Sequence, residues 1–223
     1  MTLLRVIVEG QTEERVVKDV LAPHLGAHGV FAIPTLVNKS PSSTSRVGKG
    51  GGRYYRPWQR DIVNTLKQNA EWYVTTIVDL YALPNDFPAP VSMPPGGPAV
   101  ADAIEQAFDA DIQAQLPGTH PWRFIPYVQR HELEALLFVD PAATAAVIAP
   151  GSPTYERQIA AVTAAHGTPE DINDGPQTAP SKRLGDAYKK TRHGPKIVAQ
   201  VGLPTLRSAC PRFSAWLSRL EAL

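Results

Sequence analysis

The chain has 223 residues, a formal net charge of +1, and 43% hydrophobic against 19% charged residues. That is ordinary globular composition, with length for one sizeable core. So small a net charge excludes global attraction to nucleic acid or an anionic membrane, leaving local clusters as the only source of such affinity. No apolar run approaches the roughly 20 residues of a bilayer crossing. The N-terminus enters a strand without a secretion leader, and Cys210, the single cysteine, has no internal disulfide partner. The expectation is a soluble, cytoplasmic protein with no membrane.

Residues 4–8 read as a buried strand that runs straight into Glu9 and Gly10. Thr12 is placed to cap a helix reaching to about Ala27, with Glu13 and Glu14 in its first turn, where the helix dipole favours acids, and Val16, Val17, Val20 and Leu21 as its apolar face. A second strand is predicted over 30–37. Residues 38–55 are rich in Ser and Gly and read as a loop. A helix follows over 57–68 through Ile62, Val63 and Leu66. WYVTTIV, 72–78, is the strongest buried-strand signal and stops at Asp79. Prolines gather at 83–98 and after Pro141, where they mark loops and short connections. Residues 99–116 read as an amphipathic helix, and 124–128 as a short strand followed by QRHELEALLF, which contains Glu132 and Glu134. From Pro150 the pattern is helices with proline-rich joints.

Strands alternating with helices predict an α/β fold with a doubly wound, mainly parallel sheet. The reading is a single domain, with residues 1–140 as the core and 150–223 as a C-terminal helical cap packed on it.

In a parallel sheet the carboxyl ends of the strands share one edge, so Glu9, Asp79 and Glu132 or Glu134 are brought together there. Gathered carboxylates repel one another unless a cation neutralises them, and hard oxygen donors favour Mg²⁺ or Mn²⁺. The bland alternative makes each acid a helix cap or half of a surface ion pair. Glu13 joins the set as a further ligand or remains a first-turn acid.

Two basic clusters are candidates for nucleic-acid contact. Lys49, Arg53, Arg56 and Arg60 are interleaved with Tyr54, Tyr55 and Trp58 as stacking faces. Lys182, Arg183 and His193 belong to the second cluster, where YKKTRHGPKIV also offers Lys190 near a Gly-Pro turn; the alternative there is a basic helix C-terminus. No GxSxG, GxGxxG, HExxH or Walker loop is present. Cys210 reads as packing.

Taken together, VIVEGQTEE, TTIVDLYALPNDFP, HELEALLF, PEDINDGPQTAPSKRL and HGPKIVAQVGL resemble a bacterial domain-of-unknown-function family, number 4276, related to the Toprim fold of topoisomerases, primases and OLD-type nucleases. The resemblance spans nearly the whole chain. It implies a Glu after the first strand and an Asp-x-Asp after a later one, together holding Mg²⁺. Glu9 matches the first and Asp79 the first Asp, while Tyr81 stands at the second. It further implies Glu132, Glu134 and Lys190 as the remaining members of a two-metal nuclease site. A separately encoded ATPase partner and a role in phage defence are implied by the resemblance alone.

The leading expectation is therefore a Mg²⁺- or Mn²⁺-dependent endonuclease acting on DNA or RNA, with Glu9, Asp79 and Lys190 catalytic. The alternative is a catalytically degenerate subunit that binds an ATPase or nucleic acid, and a phosphotransferase or small-molecule phosphohydrolase is a third reading. Homo-oligomerisation is left open.

Overall fold

A computed structural model describes residues 1–37, 54–90, 98–117, 121–173 and 177–223. Its centre is β1 (Thr2–Val8), flanked by β2 (Val30–Leu36) and β3 (Trp72–Asp79), with β4 (Phe124–Ile125) and β5 (Val128–Gln129) paired in turn along the far side of β3. All these pairings are parallel, in the order β2-β1-β3-β4.

The alternation along the strands sorts two cores. Leu4, Val6 and Val8 of β1 and Ile77 of β3 face one layer, while Ile7, Val74 and Val78 face the other. The first layer holds α1 (Gln11–Val16), α2 (Ala22–Ala27), α5 (Pro141–Ile148), α6 (Pro153–Ala164), α8 (Lys190–Val201), α9 (Leu203–Ala209) and α10 (Pro211–Glu221). The second holds α3 (Arg56–Gln68) and α4 (Pro98–Ala114) through Trp58, Ile62, Ile104 and Phe108. Both faces of the sheet are covered, which is the doubly wound α/β arrangement expected. The C-terminal helices are anchored by Trp216, which stacks on Tyr127 at 4.4 Å and donates from Nε1 to Thr75 Oγ1 at 2.9 Å.

Local structure departs from the sequence reading in four places. Thr12 does not cap the first helix. It is buried inside α1, and the cap position belongs to Gly10, which makes no side-chain cap bond. Between α1 and α2 the helix runs as a π turn, Val17–Leu21, just ahead of Pro23. A proline there has no N–H to give the preceding turn, and a widened turn accommodates it.

The strand expected over 124–128 is broken into β4 and β5. Pro126 has no N–H for a ladder, and threonine hydroxyls of β3 take over. Thr75 Oγ1 donates to Ile125 O at 2.5 Å, and Tyr127 N donates to Thr76 Oγ1 at 3.0 Å.

The prolines do more than mark loops, since α4, α5, α6, α10 and the short α7 (Pro180–Arg183) each begin on one. Proline's fixed φ suits the first helical residue, and its missing N–H would have no intrahelical partner there. Asp140 and Ser152 complete two of these starts, accepting from Ala143 N at 2.9 Å and Tyr155 N at 3.3 Å.

Finally, HGP is no turn. Gly194 and Pro195 lie inside α8, and Lys190 is at its start rather than its end. Pro195 cannot donate to the carbonyl of Thr191, and Arg15 Nη1 bonds that carbonyl instead at 3.1 Å. A Cβ on Gly194 would lie 3.0 Å from Thr12 Cγ2 and 3.0 Å from Tyr188 Oη. Glycine and proline thus let α8 lie against α1.

Candidate functional site

The chain leaves β1 for β2 and then returns across β1 to β3, so the strand order reverses between β1 and β3. Connections departing in opposite directions open a crevice at the carboxyl ends of the two strands. Val8 pairs with Ile77, so Glu9 and Asp79 follow neighbouring strands out at this edge.

Glu13 enters from the first turn of α1 with 4% of its surface exposed. The backbone of Gly10 is extended, at φ −140° and ψ 174°, a conformation open to any residue. Space is what requires glycine: a Cβ at this position would stand 2.8 Å from Glu13 Oε2.

The third element is a 3₁₀ helix, Leu133–Phe138, which follows β5 after a left-handed residue, His131, at φ 65°. The turn aims Leu133 N at Asp79 Oδ1, 3.0 Å away, and buries Glu134. Glu134 Oε1 accepts from Tyr188 Oη at 3.1 Å, whereas Oε2 is buried without a hydrogen-bond donor among the described residues.

Lys190 closes the group from α8. Its Nζ lies 3.4 Å from Glu134 Oε2, 3.5 Å from Glu13 Oε1 and 3.9 Å from Asp79 Oδ2.

One ammonium does not balance these acids. Burial raises the Asp79 pKa well above the ordinary carboxylate range; Lys190 pulls it down, and Glu13, Glu134 and Glu9 push it further up. Glu134 is raised for the same first reason, against the pull of Lys190. Burial alone would lower Lys190, but Glu134, Asp79, Glu13 and Glu132 more than offset it and hold the ammonium above its ordinary value. A buried carboxylate oxygen lacking a donor, within an all-oxygen set short of positive charge, suits a hard divalent cation. Among the described residues the acids are spread around Lys190, and no three bring their oxygens within 4.8 Å of one another.

The other sequence-derived candidates are distributed as follows. Glu9 is half-buried, and its charge is felt at Asp79. Glu132 turns away to Ser181, accepting from its N at 2.8 Å and its Oγ at 3.0 Å, so it secures the start of α7 while contributing charge to the site. Tyr81, 48% exposed, binds through its backbone N to His131 O and brings no carboxylate. Lys182 is exposed, Arg183 Nε donates to Thr178 O, and His193 Nδ1 accepts from Lys189 N. Tyr54, Arg56 and Arg60 are exposed around the start of α3, while Lys49 and Arg53 lie outside the described residues. Tyr55 and Trp58 are not stacking faces. Both are buried in the α3–α4 core, with Tyr55 Oη donating to Asp111 at 2.6 Å. Sequence reasoning missed Tyr188 and the Leu133 N–H, for which no spacing or motif offered a signal.

Residues 8–221 match a family model described as a domain of unknown function, DUF4276. The chain belongs to this family. A search of curated proteins found no match. Among solved structures this DUF4276 chain is similar to the C-terminal region of the Burkholderia pseudomallei OLD protein, with 15% identity and a TM-score of 0.48 over 98% of this chain and 97% of that one. No helix among the described residues is long and apolar enough to cross a membrane.

Proposed function

We propose that the chain is a Mg²⁺- or Mn²⁺-dependent phosphodiesterase of the Toprim type, cleaving DNA or RNA at the β1/β3 crevice. The observation that carries this reading is the gathering of Glu13, Asp79 and Glu134 from three elements around Lys190, at 3.4 to 3.9 Å, beside Glu9. Glu9, Glu13, Asp79 and Glu134 would hold the cation. When bound, it supplies Lewis acidity toward a phosphate oxygen and lowers the pKa of water.

The rest of the chemistry belongs to the chain. Leu133 N fixes Asp79 through Oδ1, leaving Oδ2 toward the crevice. Tyr188 fixes Glu134 through Oε1, leaving Oε2. Lys190, with 45% of its side chain exposed, reaches from the acids to solvent, where its charge stabilises a phosphorane-like transition state. The exposed Lys189, Arg192 and Lys196 of this segment extend the positive surface along which a polyanion lies. Phage defence and an ATPase partner follow from the family resemblance and are part of the proposal on that ground alone.

The test is cleavage of supercoiled DNA and of a mixed tRNA pool with Mg²⁺ or Mn²⁺, using wild type, Glu9→Ala and Asp79→Ala. Loss of a wild-type activity in both variants is expected and names the substrate class; full activity in both overturns the reading. One observation favours a second reading, a non-catalytic subunit: Tyr81, where the Toprim pattern has its second Asp, supplies no ligand. Stable co-purification with an ATPase and no cleavage in its presence would decide for that alternative.

A further inference from the structure

On the same face of the sheet as α8, a second group of metal-ligating side chains lies outside the carboxylate crevice. His24 and His28 are four residues apart on α2 and its C-terminal cap, so they share one side of that helix. Their rings are 4.9 Å apart. Glu221, the last residue of α10, meets them from the other end of the chain, its Oε1 lying 2.6 Å from His24 Nε2. One ligand atom from each of the three residues lies within 4.8 Å of the others.

An ion pair between His24 and Glu221 would account for two of these residues and leave the third unexplained. The His28 side chain makes no hydrogen bond or ion pair among the described residues, yet it is held beside the other two. Arg207 Nη1 donates to Glu221 Oε1 at 2.5 Å, and its Nη2 to Ser218 Oγ at 2.6 Å. Glu221 Oε1 is thus a carboxylate oxygen turned toward the imidazole of His24 and backed by the guanidinium of Arg207.

We infer that His24, His28 and Glu221 form a transition-metal site, selective for Zn²⁺ over Mg²⁺, that clasps α10 to α2. Two imidazoles and one carboxylate are a borderline donor set, which Zn²⁺ accepts and Mg²⁺ does not. Ligands about 2.1 Å from a tetrahedral zinc stand about 3.4 Å apart. His24 and Glu221 therefore separate by a little under an ångström on binding. Both are partly exposed, at 29% and 14%, which leaves room for that movement. Arg207 remains on the carboxylate and orients it, as groups behind a metal ligand commonly do. His28 is exposed, so an ion can reach the group from solvent. The site joins segments 197 residues apart, so its occupancy is read in stability.

The test uses the untagged full chain, stripped with chelator and titrated with Zn²⁺, Co²⁺ and Mg²⁺ by calorimetry and thermal melting. The expected result is one equivalent of Zn²⁺ bound at this site with a rise in Tm, and visible Co²⁺ bands of a tetrahedral nitrogen-ligated ion; any rise in Tm with Mg²⁺ comes from the carboxylate crevice and is absent in Asp79→Ala, where Zn²⁺ still acts. His28→Ala leaves the His24–Glu221–Arg207 bonds intact and is expected to fold normally while weakening Zn²⁺ by tenfold or more. Asp79→Ala is expected to retain both signals. Unchanged Zn²⁺ affinity in His28→Ala, absence of any Zn²⁺-dependent rise in Tm, or loss of the Zn²⁺ response in Asp79→Ala would each overturn the assignment.

Discussion

Lys190 Nζ stands 3.4 Å from Glu134 Oε2, a buried oxygen that receives no hydrogen bond among the described residues. The ammonium is thus a positive charge beside an oxygen that needs one, and on the proposed reading a divalent cation in the crevice would compete with it for the same acids. Lys190→Met should abolish cleavage. It should also bind Mg²⁺ more tightly than wild type, so that Mg²⁺ raises its Tm further, at about 2–4 °C for each kcal/mol gained. An equal Mg²⁺ shift in the two proteins would show that lysine and metal do not share ligands.

Metal binding should release protons. Asp79 and Glu134 are raised by burial first and by neighbouring acids next. A carboxyl whose folded pKa exceeds its unfolded value, about 4, stabilises the fold at pH below that unfolded value. The contribution disappears as pH climbs through the raised folded value. The metal-free protein should therefore lose stability on going from mildly acidic to neutral pH, and Mg²⁺, which favours the ionised acids, should restore it. Calorimetry in two buffers of different ionisation enthalpy measures the proton release. Glu134→Gln should reduce it, and a buffer-independent heat in wild type would remove the argument.

Gly10→Ala tests whether Glu13 is a working member of the site. The added methyl collides with Glu13 Oε2 and displaces a buried carboxylate, while the extended backbone tolerates alanine. Stability should change by roughly 1 kcal/mol or less, whereas metal affinity and cleavage should fall together by tenfold or more. Wild-type kinetics in this variant would confine Glu13 to a structural role.

His131 is the hinge of the third element. Its left-handed backbone turns β5 into the 3₁₀ helix that carries Glu134 and aims Leu133 N at Asp79. His131→Val should cost about 1–2 kcal/mol, since a branched residue resists that conformation, and should reduce activity by misplacing both acids. His131→Gly should keep the geometry and near-normal activity, measured by urea denaturation and cleavage side by side. If valine and glycine behaved alike, the imidazole rather than the backbone would be what matters.

Glu9 and Asp79 were legible because each ends an apolar run that could only be a buried strand, and parallel topology then dictates a shared edge. The sheet and both helical layers follow from the same periodicity. The same strand-end pattern offered Glu132 or Glu134 without choosing between them, and Lys190 stood out only as one cation of a basic segment; the family resemblance alone put it with the acids, since nothing local says that α8 converges on the strand ends. HGP was misread because Gly and Pro in succession signal a turn. That reading fails once Arg15 takes up the Thr191 carbonyl and Gly194 removes the side chain that would have kept α8 off α1. Tyr55 and Trp58 were misassigned for a related reason: aromatics next to arginines look like a stacking surface until α3 turns them into the core.

The clasp between Arg15 and Thr191 spans 176 residues of chain, and Lys190 sits one position before that contact. During synthesis, the acids of the crevice leave the ribosome long before the lysine that accompanies them. The crevice therefore has its full set of charges only once α8 has settled against α1 and the sheet.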